Sequence, residues 1–251
     1  MMTKLNNKVA LITGGTSGIG KATAIDFIEN GASVIITGRF QNTIDETINE
    51  LGEKAKGIVS DAGKMADLLE LGDKVKLVSS QIDILYVNAG FGKYAAIEQI
   101  DENHFDEQFN VIVKGTLFTV QQILPLMKEG GAIILNTSIV TEIGMQNSSV
   151  YSAAKAAVQS FVKTFASELA AKKIRINAVS PGPIATNYFD RSNLTAEQIQ
   201  GIAGAVLPQV PLARFGQPFE VAKAITFLAS EDASFMHGTE IFVDGGFPKI
   251  K

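Results

Sequence analysis

Between residues 9 and 37 the chain reads as strand, glycine turn, helix and strand, and this unit restricts the fold more than any other stretch. Val9-Ala10-Leu11-Ile12 is a short continuous apolar run, as expected for a strand buried on both faces. It leads straight into Thr13-Gly14-Gly15-Thr16-Ser17-Gly18-Ile19-Gly20. Ala22, Ala24, Ile25, Phe27 and Ile28 then mark a helix, with Gly31 well placed to stop it. Ser33-Val34-Ile35-Ile36-Thr37 reads as a second strand. The glycines let backbone amides approach a pyrophosphate, and the helix N-terminus favours its negative charge. A mere tight turn would not need three glycines there. The expected ligand is a dinucleotide.

Strand-like runs at 9–13, 33–37, 55–60, 82–87, 132–137, 174–179 and 241–244 alternate with helix-like runs. That alternation predicts an α/β chain with a parallel sheet covered by helices. No linker, repeat or charge block divides the 251 residues, and 46% of them are hydrophobic, enough for one large core. One domain over 1–251 is the expectation. The net charge of −4 and the lack of a basic patch disfavour nucleic acid. There is no cysteine, hence no disulfide framework or thiol chemistry. The N-terminal residues lack the apolar core of a signal peptide, and no apolar run is long enough to span a bilayer. A cytoplasmic location fits these features. His104 and His237 are isolated and no metal-ligand spacing exists, so no catalytic metal is expected.

Val150-Tyr151-Ser152-Ala153-Ala154-Lys155 opens a helical stretch that continues through Phe161, Val162, Phe165 and Leu169. Residues four apart share a helix face, which sets a phenol beside an ammonium. A free tyrosine titrates at about 10, and a nearby cation stabilises its phenolate. Such a tyrosine can pass a proton to or from a substrate oxygen. Taken alone, the short pattern reads more readily as two surface residues. Ser138 ends the strand Ile133–Thr137, and strand ends are where catalytic groups gather in open α/β sheets. Its hydroxyl can hydrogen-bond a carbonyl or alkoxide; Thr137 is its nearest competitor. Ser138 has no histidine partner in the sequence logic, which argues against a hydrolase triad.

Thr13-Gly14-x-x-x-Gly18-x-Gly20, Asn88-Ala89-Gly90, Asn110, Ser138, Tyr151-x-x-x-Lys155 and Pro181-Gly182 occur in that order. Together they resemble the short-chain dehydrogenase/reductase family, over Lys8 to Phe247. The resemblance implies a single Rossmann-like, doubly wound domain with a seven-stranded parallel sheet and helices on both faces. It implies hydride exchange between a nicotinamide cofactor and a carbonyl/alcohol pair. Tyr151 would be the acid/base, Ser138 would hold the substrate oxygen, and Lys155 would assist Tyr151 and bind the nicotinamide ribose. Asn110 would interrupt its helix and hold a water connecting Lys155 to solvent. Gly14, Thr16, Ser17, Gly18, Ile19 and Gly20 would hold the pyrophosphate and adjoining ribose. Asp61 and Ala62 would meet the adenine, although Asp61 could equally cap the helix starting near Lys64. Asn88, Ala89 and Gly90 would floor the cofactor ribose, with Val87 where many members carry a second asparagine. Pro181, Gly182, Ile184 and Thr186 would meet the nicotinamide carboxamide. Asp83 and Asp244 read as structural.

In the family an aspartate commonly ends the second strand and accepts the ribose hydroxyls of NAD. Here Gly38 stands at that place and Arg39 follows. A carboxylate would repel a 2′-phosphate, whereas arginine binds one with charge-assisted hydrogen bonds. NADP(H) is therefore expected over NAD(H). Residues 187–213, with Tyr188, Phe189, Ile199, Ile202, Val206 and Leu207, read as a substrate lid or as plain packing. Val140, Ile143, Met145, Phe91 and Tyr94 point to an apolar substrate pocket. Two other functions fit the same motifs: a 3-oxoacyl-[acyl-carrier-protein] reductase, which would want a basic docking surface, and a non-catalytic dinucleotide-binding regulator. Helical stretches at about 102–128 and 150–171 carry Phe105, Phe109, Val113, Phe118, Ala154, Phe161 and Phe165, more than one stripe readily buries. A homotetramer, or failing that a homodimer, is expected.

Overall fold

The computed structural model describes residues 3–186 and 195–247. Seven strands form one parallel sheet: β1 (Val9–Ile12), β2 (Ser33–Gly38), β3 (Ala55–Val59), β4 (Ile82–Val87), β5 (Met127–Asn136), β6 (Arg175–Pro181) and β7 (Thr239–Val243). Their order is β3-β2-β1-β4-β5-β6-β7. The order reverses between β1 and β4, and a crevice opens there at the carboxyl ends of the strands.

Strand alternation assigns each apolar side chain to one of two cores. Leu11, Ile35, Leu85, Ile133 and Leu135 belong to one. They pack under α3 (Met65–Val78), α4 (Glu102–Phe109), α5 (Gly115–Ile123) and α6 (Ser149–Leu169). Ala10, Ile12, Val34, Ile36, Ile84, Tyr86 and Ile134 belong to the other. They pack under α1 (Gly18–Glu29), α2 (Gln41–Leu51) and α8 (Pro218–Ala229). A further helix, α7 (Ala196–Val206), lies outside these layers in the chain between β6 and α8. The two faces explain why the strands read as continuous apolar runs.

Helix α1 ends at Glu29, and Gly31 takes a φ of +96°, which an L side chain rarely adopts. Asp26 ties α1 to α8, accepting from the Thr226 hydroxyl and the Lys223 ammonium. Asp83 accepts from the Val9 amide at 2.8 Å, with the Lys128 ammonium 3.4 Å away. It is a strand-end anchor.

One expected helical stretch is divided. The stretch 102–128 is broken three times: by a π segment at Asn110–Lys114, by a 3₁₀ turn at Leu124–Leu126 that holds Pro125, and by β5, which begins at Met127. Proline cannot donate into the helix ladder, so the chain leaves α5 early and enters the sheet five residues sooner than its apolar run indicates. Of the residues expected to crowd the helix surfaces, Ala154 and Phe165 are buried within the single chain. Phe105 is 43% exposed, and Phe109, Val113, Phe118 and Phe161 are half-buried. Among the described residues, no helix is long and apolar enough to cross a membrane.

Candidate active site

A cavity of about 920 Å³ lies at the carboxyl edge of the sheet. Asn88, just past β4, organises one half of it. Its backbone amide and that of Ala89 both donate to the Thr13 hydroxyl, at 3.0 and 3.1 Å. Its side-chain Nδ2 donates to the carbonyls of Thr13 and Gly14, each at 3.1 Å. The glycine turn is thus clamped to the neighbouring strand. Tyr86, whose buried phenol is pushed well above its ordinary value by desolvation, donates to Asn88 Oδ1 at 3.2 Å.

At Gly15 and Gly20 the turn leaves no room for a side chain. A Cβ on Gly20 would stand 2.3 Å from the Gly14 carbonyl oxygen and 2.6 Å from Asn88 Nδ2. Gly14 itself has a φ of +63°. Helix α1 starts at Gly18 with no acidic residue in its first turn, and Thr16, Ser17, Gly18 and Ile19 line the cavity. Backbone amides at a helix start with no side-chain cap, set in a turn that only glycine packing permits, fit a pyrophosphate.

At the end of β2, a Cβ on Gly38 would lie 2.8 Å from Thr16 Cγ2 and 3.2 Å from Ile44 Cγ1. A side chain there would require Thr16 to shift. Arg39 stands next to it, its guanidinium carbon 5.3 Å from the centre of the Phe40 ring. Asp61 and Ala62 line the same end. Asp61 Oδ1 accepts from the Gly63 amide at 3.0 Å, so its side chain caps the turn before α3 and not the helix, which begins at Met65.

On the far side, Pro181, Gly182, Ile184 and Thr186 line the cavity after β6. A Cβ on Gly182 would meet Asp244 Cα at 2.5 Å, so this loop rests directly on the turn after β7. Asp244 accepts from the Gly246 amide at 2.9 Å and shapes that turn.

Ser138, Tyr151 and Lys155 meet between these two ends. Ser138 follows β5 in extended conformation and is nearly buried. Tyr151 and Lys155 are one turn apart on α6, with the Lys155 ammonium 5.9 Å from the centre of the Tyr151 ring. Lys155 Nζ donates to the Asn136 carbonyl at 2.7 Å. Burial pushes Lys155 down to about 8. The Tyr94 ring meets the Tyr151 ring edge-on at 6.3 Å.

Asn110 also lines the cavity, inside the expected helix interruption. Its side-chain oxygen, however, accepts from the Lys114 ammonium. A Cβ on Gly90 would sit 3.7 Å from Lys155 Nζ and 3.8 Å from Ile112 Cγ1. Positions 110 and 112 project to different sides of the helix, and the buried side belongs to Ile112.

The remaining walls are Phe91, Tyr94, Ile139, Val140, Met145, Val206, Phe215 and Phe247, with the Lys93–Glu107 ion pair beside them. Ile143 packs behind, with Ile139, Val210 and Phe247. Phe215 and Phe247 carry no motif and are contributed by distant parts of the chain. Of the lid residues, Val206 and Leu207 are half-buried. Tyr188 and Phe189 and the side chains of Ile199 and Ile202 lie outside the described residues.

A family model described as enoyl-(acyl carrier protein) reductase matches residues 14–248. The chain is 40% identical to the oxidoreductase asL5 of Sarocladium schorii over 251 residues, covering 98% of each protein. It is 36% identical to the 3-oxoacyl-[acyl-carrier-protein] reductase FabG of Thermotoga maritima over 248 residues, covering 97% of this chain and 98% of that one. Among solved structures, levodione reductase superposes with a TM-score of 0.90 at 28% identity, covering 96% of this chain and 98% of the other.

Proposed function

The chain belongs to the short-chain dehydrogenase/reductase family, and from that premise we propose that it is an NADP(H)-dependent oxidoreductase interconverting a ketone or aldehyde with its alcohol. The observation that carries this reading is the meeting of Ser138, Tyr151 and Lys155 in the same cavity as the glycine turn. When bound, the cofactor supplies or accepts the hydride. The protein supplies position and a proton. In reduction Tyr151 gives its phenolic proton to the carbonyl oxygen, and in oxidation it takes that proton back. Ser138 donates a hydrogen bond to the same oxygen. The Lys155 ammonium, beside the Tyr151 ring, stabilises the phenolate left after proton transfer. Apolar walls exclude water and suit a substrate with apolar substituents.

Gly14 to Gly20 and the first turn of α1 would hold the pyrophosphate, Asn88–Gly90 the ribose, Asp61 and Ala62 the adenine, and Pro181–Thr186 the carboxamide. Arg39 would bind a 2′-phosphate. The crowding at Gly38 supports NADP(H), because a carboxylate selecting for NAD would require Thr16 to shift there.

A second reading, reduction of a 3-oxoacyl group on an acyl carrier protein, draws on the likeness to the Thermotoga enzyme. An acidic carrier wants unpaired cations at the rim. Here Lys93 pairs with Glu107 and Arg214 with Glu220, and the chain is net negative. We place the protein in the cytoplasm as a single domain assembled into a homotetramer, with a homodimer as the simpler form, through the exposed parts of α4 to α6.

The test is turnover of a panel of apolar ketones, aldehydes and acetoacetyl thioesters, with NADPH and NADH in parallel. Oxidation of NADPH by apolar carbonyls supports the reading. Preference for the thioester supports the second, and binding without any turnover would make the protein a regulator.

A further inference from the structure

Asn136 ends β5 two residues before Ser138 and has a contact on each side of the site. Its main-chain carbonyl takes the Lys155 ammonium at 2.7 Å. Its side-chain Nδ2 donates to Asn88 Oδ1 at 3.3 Å. Asn88 in turn holds the carbonyls of Thr13 and Gly14. The orientation of both amides follows from the chain of bonds. Asn88 must present Nδ2 to two carbonyls, so its Oδ1 is the acceptor. Asn136 must then present its own Nδ2, which turns its Oδ1 away. That oxygen is buried, has no partner among the described residues, and belongs to a residue lining the cavity.

A residue kept only to fill space would be apolar here, as its strand neighbours Ile134 and Leu135 are. A buried amide oxygen with no partner costs stability unless a bound group answers it. The Asn136 carbonyl is an acceptor that holds the ammonium.

Resting on the proposed oxidoreductase reading, we infer that Asn136 is a positioning residue: its side chain ties the strand end to the glycine turn through Asn88 and so holds in place the main-chain carbonyl that takes the Lys155 ammonium.

Two variants test this. Asn136→Ala removes the link to Asn88. Asn136→Asp keeps its shape and sets an acceptor against Asn88 Oδ1. Each is measured for NADPH affinity by fluorescence titration, for kcat and KM with the best carbonyl of the panel, for the pH dependence of kcat, and for the melting temperature. Both variants are expected to bind NADPH about three- to tenfold more weakly, the loss of one hydrogen bond. Both should lose kcat by a similar factor; in Asn136→Ala the alkaline limb of reduction should move to lower pH, because the carbonyl that takes the ammonium is no longer held through Asn88, and in Asn136→Asp it should move to higher pH, because the added carboxylate favours the charged lysine. If Asn136→Ala does not fold, Asn136→Asp carries the comparison of NADPH affinity and kcat. An unchanged kcat and pH profile in the folded variants, whatever the melting temperature, assigns Asn136 to the fold alone and overturns the inference. A wild type inactive toward every carbonyl refutes the oxidoreductase reading instead, so the two failures are distinct.

Discussion

The Lys155 ammonium stands 5.9 Å from the centre of the Tyr151 ring, one helical turn along α6, and both residues are nearly buried. An amine at that depth is retained at a cost. Lys155 is pushed down to about 8 by desolvation, against an ordinary value of 10.5. Below pH 8 the folded protein carries the full penalty of the buried charge. As pH rises from about 8 toward 10.5 the folded state releases the proton first, and the penalty disappears. Lys155→Met should therefore melt higher than the wild type at pH 7, by on the order of 3 kcal/mol of stability. The advantage should shrink above pH 8, and turnover should be lost. Thermal melts of both proteins across that range check the sign. A variant less stable than wild type at pH 7 would show that the ammonium is well solvated or fully compensated.

The same lysine sets a pH limit on activity. Reduction uses the charged form, so kcat should hold at lower pH and decline as pH rises through about 8. The limb belongs to the Tyr151–Lys155 pair and not to either residue alone. A rate that stays level to pH 10 would contradict this.

Gly20→Ala places a Cβ against the Gly14 carbonyl and the Asn88 amide, both backed by hydrogen bonds. The turn must open by more than half an ångström to admit it. NADPH binding should weaken at least tenfold, a loss of about 1.4 kcal/mol, while far-UV circular dichroism stays native. Isothermal titration reads the affinity; wild-type affinity would mean that the turn does not hold the nucleotide.

Much of this fold is legible in the residues, because strands buried on both faces read as unbroken apolar runs and glycine turns punctuate them. Ser138, Tyr151 and Lys155 are legible for a different reason: polar groups at a strand end and along one helix face have few ways to be placed. The π segment is not legible in the same way. An asparagine signals the interruption, but nothing in the residues marks Ile112, two positions on, as the side chain the segment buries. Asn136 escapes notice because an asparagine at a strand end is ordinary until its carbonyl and amide are seen to serve different partners. Phe215 and Phe247 reach the cavity only through tertiary folding, and nothing in their neighbourhoods marks them.

Arg39→Ala should weaken NADPH by roughly ten- to a hundredfold, one charge-assisted interaction, and leave NADH nearly unchanged. Parallel titrations of the two nucleotides decide it. Equal losses would make Arg39 a partner of Phe40 alone and would withdraw the preference for NADP(H).

The account turns on Tyr151 as the proton donor, and Tyr151→Phe isolates that role because only the hydroxyl is removed. The measurement is single-variant kinetics with NADPH and the best carbonyl, beside an NADPH titration of the same protein. The expected result is a kcat lower by about a thousandfold with NADPH affinity within a few-fold of wild type. A variant that keeps a tenth or more of wild-type turnover would contradict the assignment, and with it the chemistry proposed for this site.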